Sequence, residues 1–167
     1  GVGAEERAAQ RRTKLVKAGR ELLAEAGWKG ASLRAVCARS GLSDRYFYES
    51  FDNRDALLVA VTEQVMSDVL VVAGERMGAA PVTYRGQVRA AADAVLDLLD
   101  REAGLVRVLL LETPDTEVLT QQRRAMMGSL VDLLVAATED VKALEGATDV
   151  RRRLGAHAIL GSLFELL

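Results

Sequence analysis

The sequence predicts an all-α protein. Apolar residues recur at spacings of three and four along most of the chain, and no segment alternates with a period of two. Only two prolines, Pro81 and Pro114, interrupt the 167 residues, and glycines mark most of the other boundaries. With 50% hydrophobic and 28% charged residues, the chain can bury enough apolar surface to fold, which argues against intrinsic disorder.

Four helices are predicted in the N-terminal part. The first spans 11–26 and ends at Gly27, and its apolar stripe comprises Leu15, Ala18, Leu22 and Leu23. Two short helices follow, over 32–40 and 43–49, and each begins at a serine that can act as an N-cap. A longer helix is predicted over 54–77.

The same patterns predict four further helices beyond Pro81. They span 84–101, 105–112, 116–144 and 149–167. Their separators are Gly104, the turn Thr113-Pro114-Asp115 and the stretch Gly146-Ala147-Thr148. We divide the chain into a three-helix domain, 1–52, and a larger helical domain, 53–167.

Charge and composition narrow the class of protein. The formal net charge of −2 argues against coating nucleic acid or a membrane along the whole surface. A single cysteine excludes an internal disulfide. Asp68 and Arg107 interrupt the apolar tracts before they reach the roughly 18 residues of a membrane span, and the polar N-terminus lacks the apolar region of a signal peptide. We expect a soluble cytoplasmic protein with no membrane partner.

Basic and aromatic residues are concentrated in one region. Between Arg11 and Arg54, ten basic residues stand against five acidic ones, a net charge of +5. The chain has one Trp, three Tyr and three Phe, and four of these seven fall between positions 46 and 51. Leu, Val and Ala dominate elsewhere, so the aromatic cluster marks the segment where we expect function.

The segment 32–51 has the spacing of a helix-turn-helix. Cys37 is the small residue four positions before the turn glycine, Gly41, where the second helix crosses closely. Leu42 and Phe47 supply the apolar contacts after the turn. Cys37 is therefore expected to be a buried packing residue without a chemical role.

The second helix of this motif is predicted to have a core face and an exposed face. At about 100° per residue, Phe47 and Phe51 point to the core together with Ser43. The residues on the other side and its flanks are Arg45, Tyr46, Tyr48 and Glu49. Because Arg can bind guanine bidentately and Tyr can reach a phosphate or a thymine methyl, this face suits a DNA major groove. Alternatively, the two tyrosines pack against the following helix.

The stretch from Ser32 to Leu58, SLRAVCARSGLSDRYFYESFDNRDALL, resembles the N-terminal DNA-binding domain of the TetR family of transcriptional regulators. The shared features are a capped helix, the Gly-Leu-Ser turn, a Tyr three residues before a Phe, and a basic residue three positions later. The resemblance covers about residues 11–60, and only the helical layout continues beyond it.

The resemblance implies specific DNA contacts. The candidate DNA-binding residues are Ser32, Arg34, Ser43, Asp44, Arg45, Tyr46, Tyr48 and Arg54. Ser32, Tyr48 and Arg54 match positions that contact phosphates. Arg34, Asp44, Arg45 and Tyr46 match positions that face bases or the nearby backbone. Arg11 and Arg12 either reach the DNA or form an exposed helix start.

The resemblance also implies a dimeric repressor. Two-fold dimers place two recognition helices about 34–36 Å apart over a palindromic operator. In the family, the last helices build the dimer interface. The candidates for that interface are Leu154, Gly155, Ala158 and Ser162. Alternatively, this stripe packs only within its own subunit.

A small apolar ligand is expected to release the protein from its operator by favouring a conformer that does not bind DNA. The candidate ligand-binding residues, each of which could instead be plain core, are Met66, Leu70, Leu96, Leu99, Met126, Met127, Leu130, Leu134, His157 and Phe164. Since Tyr84 and Phe164 are the only aromatic residues after position 66, we expect mainly aliphatic contacts.

No catalytic motif is visible in the sequence. It has no nucleophile elbow, P-loop or dinucleotide fingerprint, and one His with one Cys cannot form a typical zinc site. We expect neither an enzyme nor a cofactor or metal. The alternative function is a helical protein-interaction module that retains the fold without operator binding.

Overall fold

The structure is a computed structural model that describes residues 3–108, 112, 116–137 and 148–164, without the side chains of Leu99, Ile159 and residues 162–164. Within these residues there are eight α-helices and no strand, which confirms the predicted all-α class. The helices are α1 (Ala4–Gly30), α2 (Leu33–Ser40), α3 (Asp44–Ser50), α4 (Arg54–Ala79), α5 (Tyr84–Arg101), α6 (Ala103–Arg107), α7 (Glu117–Ala137) and α8 (Asp149–Phe164).

The predicted helix bounds hold best where a cap or a proline marks them, as at the starts of α2, α3, α5 and α8. Helix α1 begins earlier than predicted, at Ala4, because 4–10 consist of good helix formers with Glu5 and Glu6 in the first turn. Helix α6 begins earlier than predicted and ends at Arg107. The predicted turn at 113–115 and the predicted continuation of α7 to 144 lie outside the described residues.

Gly27 interrupts α1 before its last turn. Its φ of 67° and ψ of −172° define a conformation that residues with a Cβ rarely adopt, and helical geometry resumes only briefly to Gly30. A Cβ at this position would also lie 2.6 Å from Oε2 of Glu112. Any side chain here would therefore be strained and would collide with the carboxylate.

The chain forms two compact units. Unit 1 comprises Gly1–Val65 and Arg101–Arg123, and unit 2 comprises Met66–Asp100 and Arg124–Leu167. Helix α4 contributes to both, with the division after Val65. Unit 1 therefore contains the helix-turn-helix segment together with α6, and the functional boundary at residue 52 stays a prediction.

In unit 1, α1 packs against α2, α3 and α6, and α2 packs against α3. The α6 backbone lies directly on α1, because a Cβ added at Gly104 would be only 2.4 Å from the carbonyl oxygen of Ala24. The largest fully buried side chains of this unit are Leu15, Leu23, Val36, Phe47, Val61, Val65, Leu105 and Val108. The α6 segment thus completes the core beneath the helix-turn-helix.

Unit 2 has an aliphatic core formed by α4, α5, α7 and α8. Its buried members are Met66, Val69, Ala91, Val95, Leu130, Val131, Leu134, Ala156 and Leu160. The partly buried residues packed against them are Met77, Leu98, Met126, Met127, Leu133 and Val135. All four methionines of the chain belong to this core, and none of its described members is aromatic.

Helix α4 is long and apolar enough, by length and composition, to cross a membrane. The expectation that Asp68 excludes such a span was too strong, since Glu63 and Asp68 are the only charged residues between Ala56 and Gly74. Half of its apolar window is buried inside the protein, as in the core helices of soluble proteins.

Candidate nucleic-acid interface

The turn between α2 and α3 has the predicted helix-turn-helix geometry. The Ser32 hydroxyl accepts a hydrogen bond from the Ala35 amide at 3.3 Å, so Ser32 caps α2 as expected. Gly41 ends the helix in the left-handed region, with φ 70° and ψ 23°, and its amide and that of Leu42 donate to the carbonyl of Cys37. Cys37 is buried, as a tight crossing of the two helices requires.

Helix α3 has the two faces that its sequence predicts. Phe47 and Phe51 are buried, with ring centroids 5.8 Å apart. Tyr46, Tyr48 and Arg45 are exposed, and Tyr48 meets the edge of Phe47 at 5.6 Å. The structure thus holds this short helix from behind and presents its polar side chains to solvent.

Ser43 occupies the N-cap position of α3, but the predictions for its side chain were wrong in two respects. Ser43 is exposed rather than core-facing, and its side chain makes no capping hydrogen bond. Its backbone is extended, with φ −79° and ψ 161°, so the helical angle of 100° per residue does not apply to it.

The eight candidate DNA-binding residues all belong to unit 1, on α2, α3, their caps and the first turn of α4. The exposed ones are Arg34, Ser43, Asp44, Arg45, Tyr46 and Tyr48, whereas Ser32 and Arg54 are half-buried. Their contacts with DNA stay predictions.

Arg11 and Arg12 contact α3 and its C-cap, a role that neither sequence-based alternative included. The Arg11 guanidinium lies 4.7 Å from the centroid of the Tyr46 ring. The Arg12 guanidinium lies 4.2 Å from the centroid of Phe51, and its Nη1 donates to the Ser50 carbonyl at 2.9 Å. No local spacing could reveal these contacts, since the partners lie more than 30 residues away in the sequence.

Arg54 is half-buried against an aromatic ring. Its guanidinium lies 3.6 Å from the centroid of Trp28, and burial lowers its pKa, which Asp55 partly offsets. The backbone amide of Trp28 donates to Oε2 of Glu112 at 3.3 Å, and Oε1 of Glu112 lies 3.0 Å from Nε of Arg107. Glu112, which follows α6, thus binds the backbone of the tryptophan on whose ring Arg54 packs.

The basic surplus between Arg11 and Arg54 overstates the charge that can face DNA. Arg39 pairs with Glu25 at 2.8 Å and with Glu21 at 3.3 Å, and its hydrogen bond lowers the pKa of Glu25. Arg20 forms a two-point ion pair with Glu102, in which Nε lies 3.0 Å from Oε2. These arginines join elements of unit 1 and are not directed at a ligand.

The candidate ligand-binding residues do not all come together. Met66, Leu130 and Leu134 belong to the core of unit 2, and Met126 and Met127 pack against it. By contrast, Leu70, Leu96 and His157 are exposed, and Nδ1 of His157 lies 2.9 Å from the carbonyl oxygen of Arg153. The side chains of Leu99 and Phe164 lie outside the described residues.

Helix α8 has one exposed apolar side. Val150 is 67% exposed and Leu154 is 65% exposed, whereas Ala156 and Leu160 are buried in unit 2. Gly155 and Ala158 are exposed, and the Ser162 side chain lies outside the described residues. Leu154 is therefore mostly exposed to solvent, and its place in a dimer interface stays a prediction.

Comparison with known proteins agrees with this geometry. Residues 15–61 match the family model of bacterial regulatory proteins, tetR family. No curated protein matches the chain. A solved protein from Pseudomonas aeruginosa PAO1 is 24% identical, with a TM-score of 0.78 over 98% of this chain and 83% of its own.

Two solved proteins with bound ligands are also similar. FadR from Bacillus subtilis, in complex with stearoyl-CoA, is 19% identical, with a TM-score of 0.76 over 92% of this chain and 83% of its own. AibR, in complex with isovaleryl coenzyme A and operator DNA, is 19% identical, with a TM-score of 0.65 over 90% of this chain and 82% of its own. The resemblance found in the sequence is confirmed for residues 15–61, which match the tetR family model, and the described helices have the fold of these solved proteins.

Proposed function

We propose that the protein is a ligand-responsive transcriptional repressor, and not an enzyme, that binds a palindromic operator as a homodimer. The observation that carries this proposal is the exposed face of α3. Arg45, Tyr46 and Tyr48 point outward from a helix that Phe47 and Phe51 fix to the core. A protein-interaction module would have no need for this set of side chains on a helix-turn-helix.

The chemistry of this face matches the needs of DNA binding. Arg45 can donate two hydrogen bonds to a guanine, and Tyr48 can donate to a phosphate. Ser32 accepts from the Ala35 amide, which leaves its own O–H to donate to a phosphate. Stacking on Trp28 engages the flat face of the Arg54 guanidinium and leaves its in-plane donors for a phosphate.

For the ligand, we propose a molecule with an aliphatic acyl chain. The core of unit 2 is aliphatic and holds all four methionines, whose flexible side chains adapt to an inserted chain. Two proteins of this fold were solved with acyl thioesters, stearoyl-CoA and isovaleryl coenzyme A. Met66, Met126, Met127 and Leu130 are the residues that we propose line its site.

A genome-scale selection of duplexes, made at one stated salt concentration, tests operator binding. We expect one palindromic family of sequences to be enriched. Its affinity should fall steeply with salt, with a logarithmic slope of about −0.9 for each phosphate that the protein neutralises. If the protein prefers no duplex, the proposal of a repressor is wrong, and the alternative function as a protein-interaction module is favoured.

Two substitutions separate base recognition from phosphate binding. We expect Arg45→Ala to reduce discrimination at one base position by about 1–3 kcal/mol. Tyr48→Phe should weaken binding to every duplex by about 0.5–1.5 kcal/mol, the contribution of one hydrogen bond. Tyr84→Phe makes the same change at an exposed residue of unit 2 and should alter neither quantity. Fluorescence anisotropy with operator variants measures both, and unchanged affinity in Tyr48→Phe would contradict the phosphate contact.

A series of acyl-CoA molecules of increasing chain length tests the ligand. One range of lengths should raise the melting temperature and release the operator, whereas coenzyme A alone should do neither. For a near-complete switch between the two conformers, the ligand must bind the conformer that does not bind DNA roughly 10⁴-fold more tightly than the other. A compound that stabilises the protein without changing its DNA affinity would contradict release by that ligand.

A further inference from the structure

Glu49 joins two arginines on the exposed face of α3. Its Oε1 lies 3.0 Å from Nε of Arg45, one helical turn earlier. Its Oε2 lies 3.6 Å from Nη2 of Arg11, which comes from α1. The Arg45 side chain is 84% exposed and that of Arg11 only 25%. One carboxylate thus lies between an arginine that is held and an arginine that faces solvent.

Arg11 is anchored rather than extended toward solvent. Its guanidinium packs on the Tyr46 ring, and its Nε is buried with no hydrogen-bond partner among the residues that the structure describes. The ring and the Glu49 carboxylate are therefore the partners that fix this guanidinium. Because α1 carries Arg11, the carboxylate of Glu49 is tied to the body of unit 1.

The hydrogen bond from Arg45 determines which of its donors remain for DNA. Nε of Arg45 donates to Glu49, which leaves the donor pair at the far end of the guanidinium, one N–H on each terminal nitrogen, free for another partner. Bidentate binding of guanine O6 and N7 requires two such donors. A solvent-exposed Arg otherwise samples many rotamers, and fixing them on binding costs conformational entropy. A carboxylate that is itself fixed lowers this cost.

We propose that Glu49 is a positioning residue for base recognition: held by Arg11, it orients the guanidinium of Arg45 toward the bases. This inference rests on the proposed operator binding. Glu49 does not itself touch DNA, and its negative charge opposes binding to any phosphate backbone. It therefore lowers affinity for DNA of arbitrary sequence and increases discrimination at the base pair that Arg45 reads.

The proposal is tested by measuring how tightly four proteins bind the operator. Each affinity is also measured for all single base-pair variants of one half-site. The proteins are the wild type, Glu49→Gln, Arg45→Ala and the double variant. Arg45→Ala identifies the base pair that Arg45 reads. We expect Glu49→Gln to reduce discrimination at that base pair by about tenfold, within the range that a bidentate arginine provides. It should leave discrimination at the other base pairs unchanged, and in the Arg45→Ala background it should have no further effect on discrimination at any base pair.

Two further variants serve as controls. Glu63→Gln removes the same charge from an exposed position on α4 and should not change discrimination at any base pair. Arg11→Ala should cause the same loss of discrimination at the base pair that Arg45 reads. The dependence of log affinity on log salt concentration should keep its slope, because Arg11 neutralises no phosphate. If the slope instead weakens by about 0.9, Arg11 is a phosphate contact and the proposal is overturned.

The remaining outcomes are equally distinct. If Glu49→Gln raises the affinity for all duplexes by the same factor, Glu49 is only a repulsive charge. If it weakens all of them equally and lowers the melting temperature, Glu49 only stabilises α3. Either result overturns the proposal while leaving operator binding intact. Absence of discrimination in the wild type would instead mean that the proposed function itself is wrong.

Discussion

Cys37 links the helix-turn-helix to the core through a single small side chain. Its thiol is buried where α2 approaches α3. Burial raises its pKa above the ordinary value of 9.0, and the hydrogen bond and negative charge of Asp44 raise it further. Because only the thiolate is nucleophilic, this cysteine is chemically quiet at neutral pH.

The raised pKa of Cys37 predicts a loss of stability in alkali. The folded protein holds the thiol proton more tightly than the unfolded chain, so the contribution to stability is complete below about pH 9 and falls as the pH rises through the raised folded value. Denaturant unfolding of the wild type and of Cys37→Ala, from neutral to alkaline pH, measures this contribution to stability. The difference in unfolding free energy between the two proteins should shrink above about pH 9. A difference that does not depend on pH would contradict the raised pKa.

At the scale of helices, two glycines should respond in opposite ways to the same added methyl group. Gly41 ends α2 at φ 70°, with open space around its Cβ position, so Gly41→Ala should destabilise the protein by about 1–2 kcal/mol through backbone strain alone. Gly74 lies inside α4, also in open space, so Gly74→Ala should stabilise it by about 0.5–1 kcal/mol. Urea unfolding measures both. A neutral Gly41→Ala would show that this cap does not need the left-handed conformation.

The bounds of the helices and the exposed face of α3 could be predicted from the sequence, because both are determined by residues close to one another in the chain. Ser32, Gly41, Phe47 and Phe51 act within one or two helical turns. The start of α1 was missed because residues 4–10 form a helix by propensity alone, without an apolar stripe. The contact between Trp28 and Glu112 joins residues 84 positions apart, and nothing in the neighbourhood of either residue reveals the other. The sequence therefore predicted which side chains face solvent on α3, and not what holds them there.

At the scale of the whole molecule, the exposed apolar side of α8 should form the dimer. We expect Leu154→Asp to yield a folded monomer, because it places a charge where two copies would pack. Its operator affinity should fall by more than about tenfold, since a monomer contacts only one half-site. Val82→Asp, at a residue that is 71% exposed before α5, is the matched control and should remain dimeric. Sedimentation equilibrium measures the mass, and a dimeric Leu154→Asp would contradict this interface.

The close packing of α6 on α1 affects how this protein could be engineered. Leu105 and Val108 complete the core of unit 1, and Glu112 occupies the space that Gly27 leaves open. A fragment that ends at residue 52 would leave the α1 surface uncovered where α6 now packs. A chimera that transfers the operator specificity of this protein to another regulator would therefore have to transplant residues 101–123 together with the helix-turn-helix.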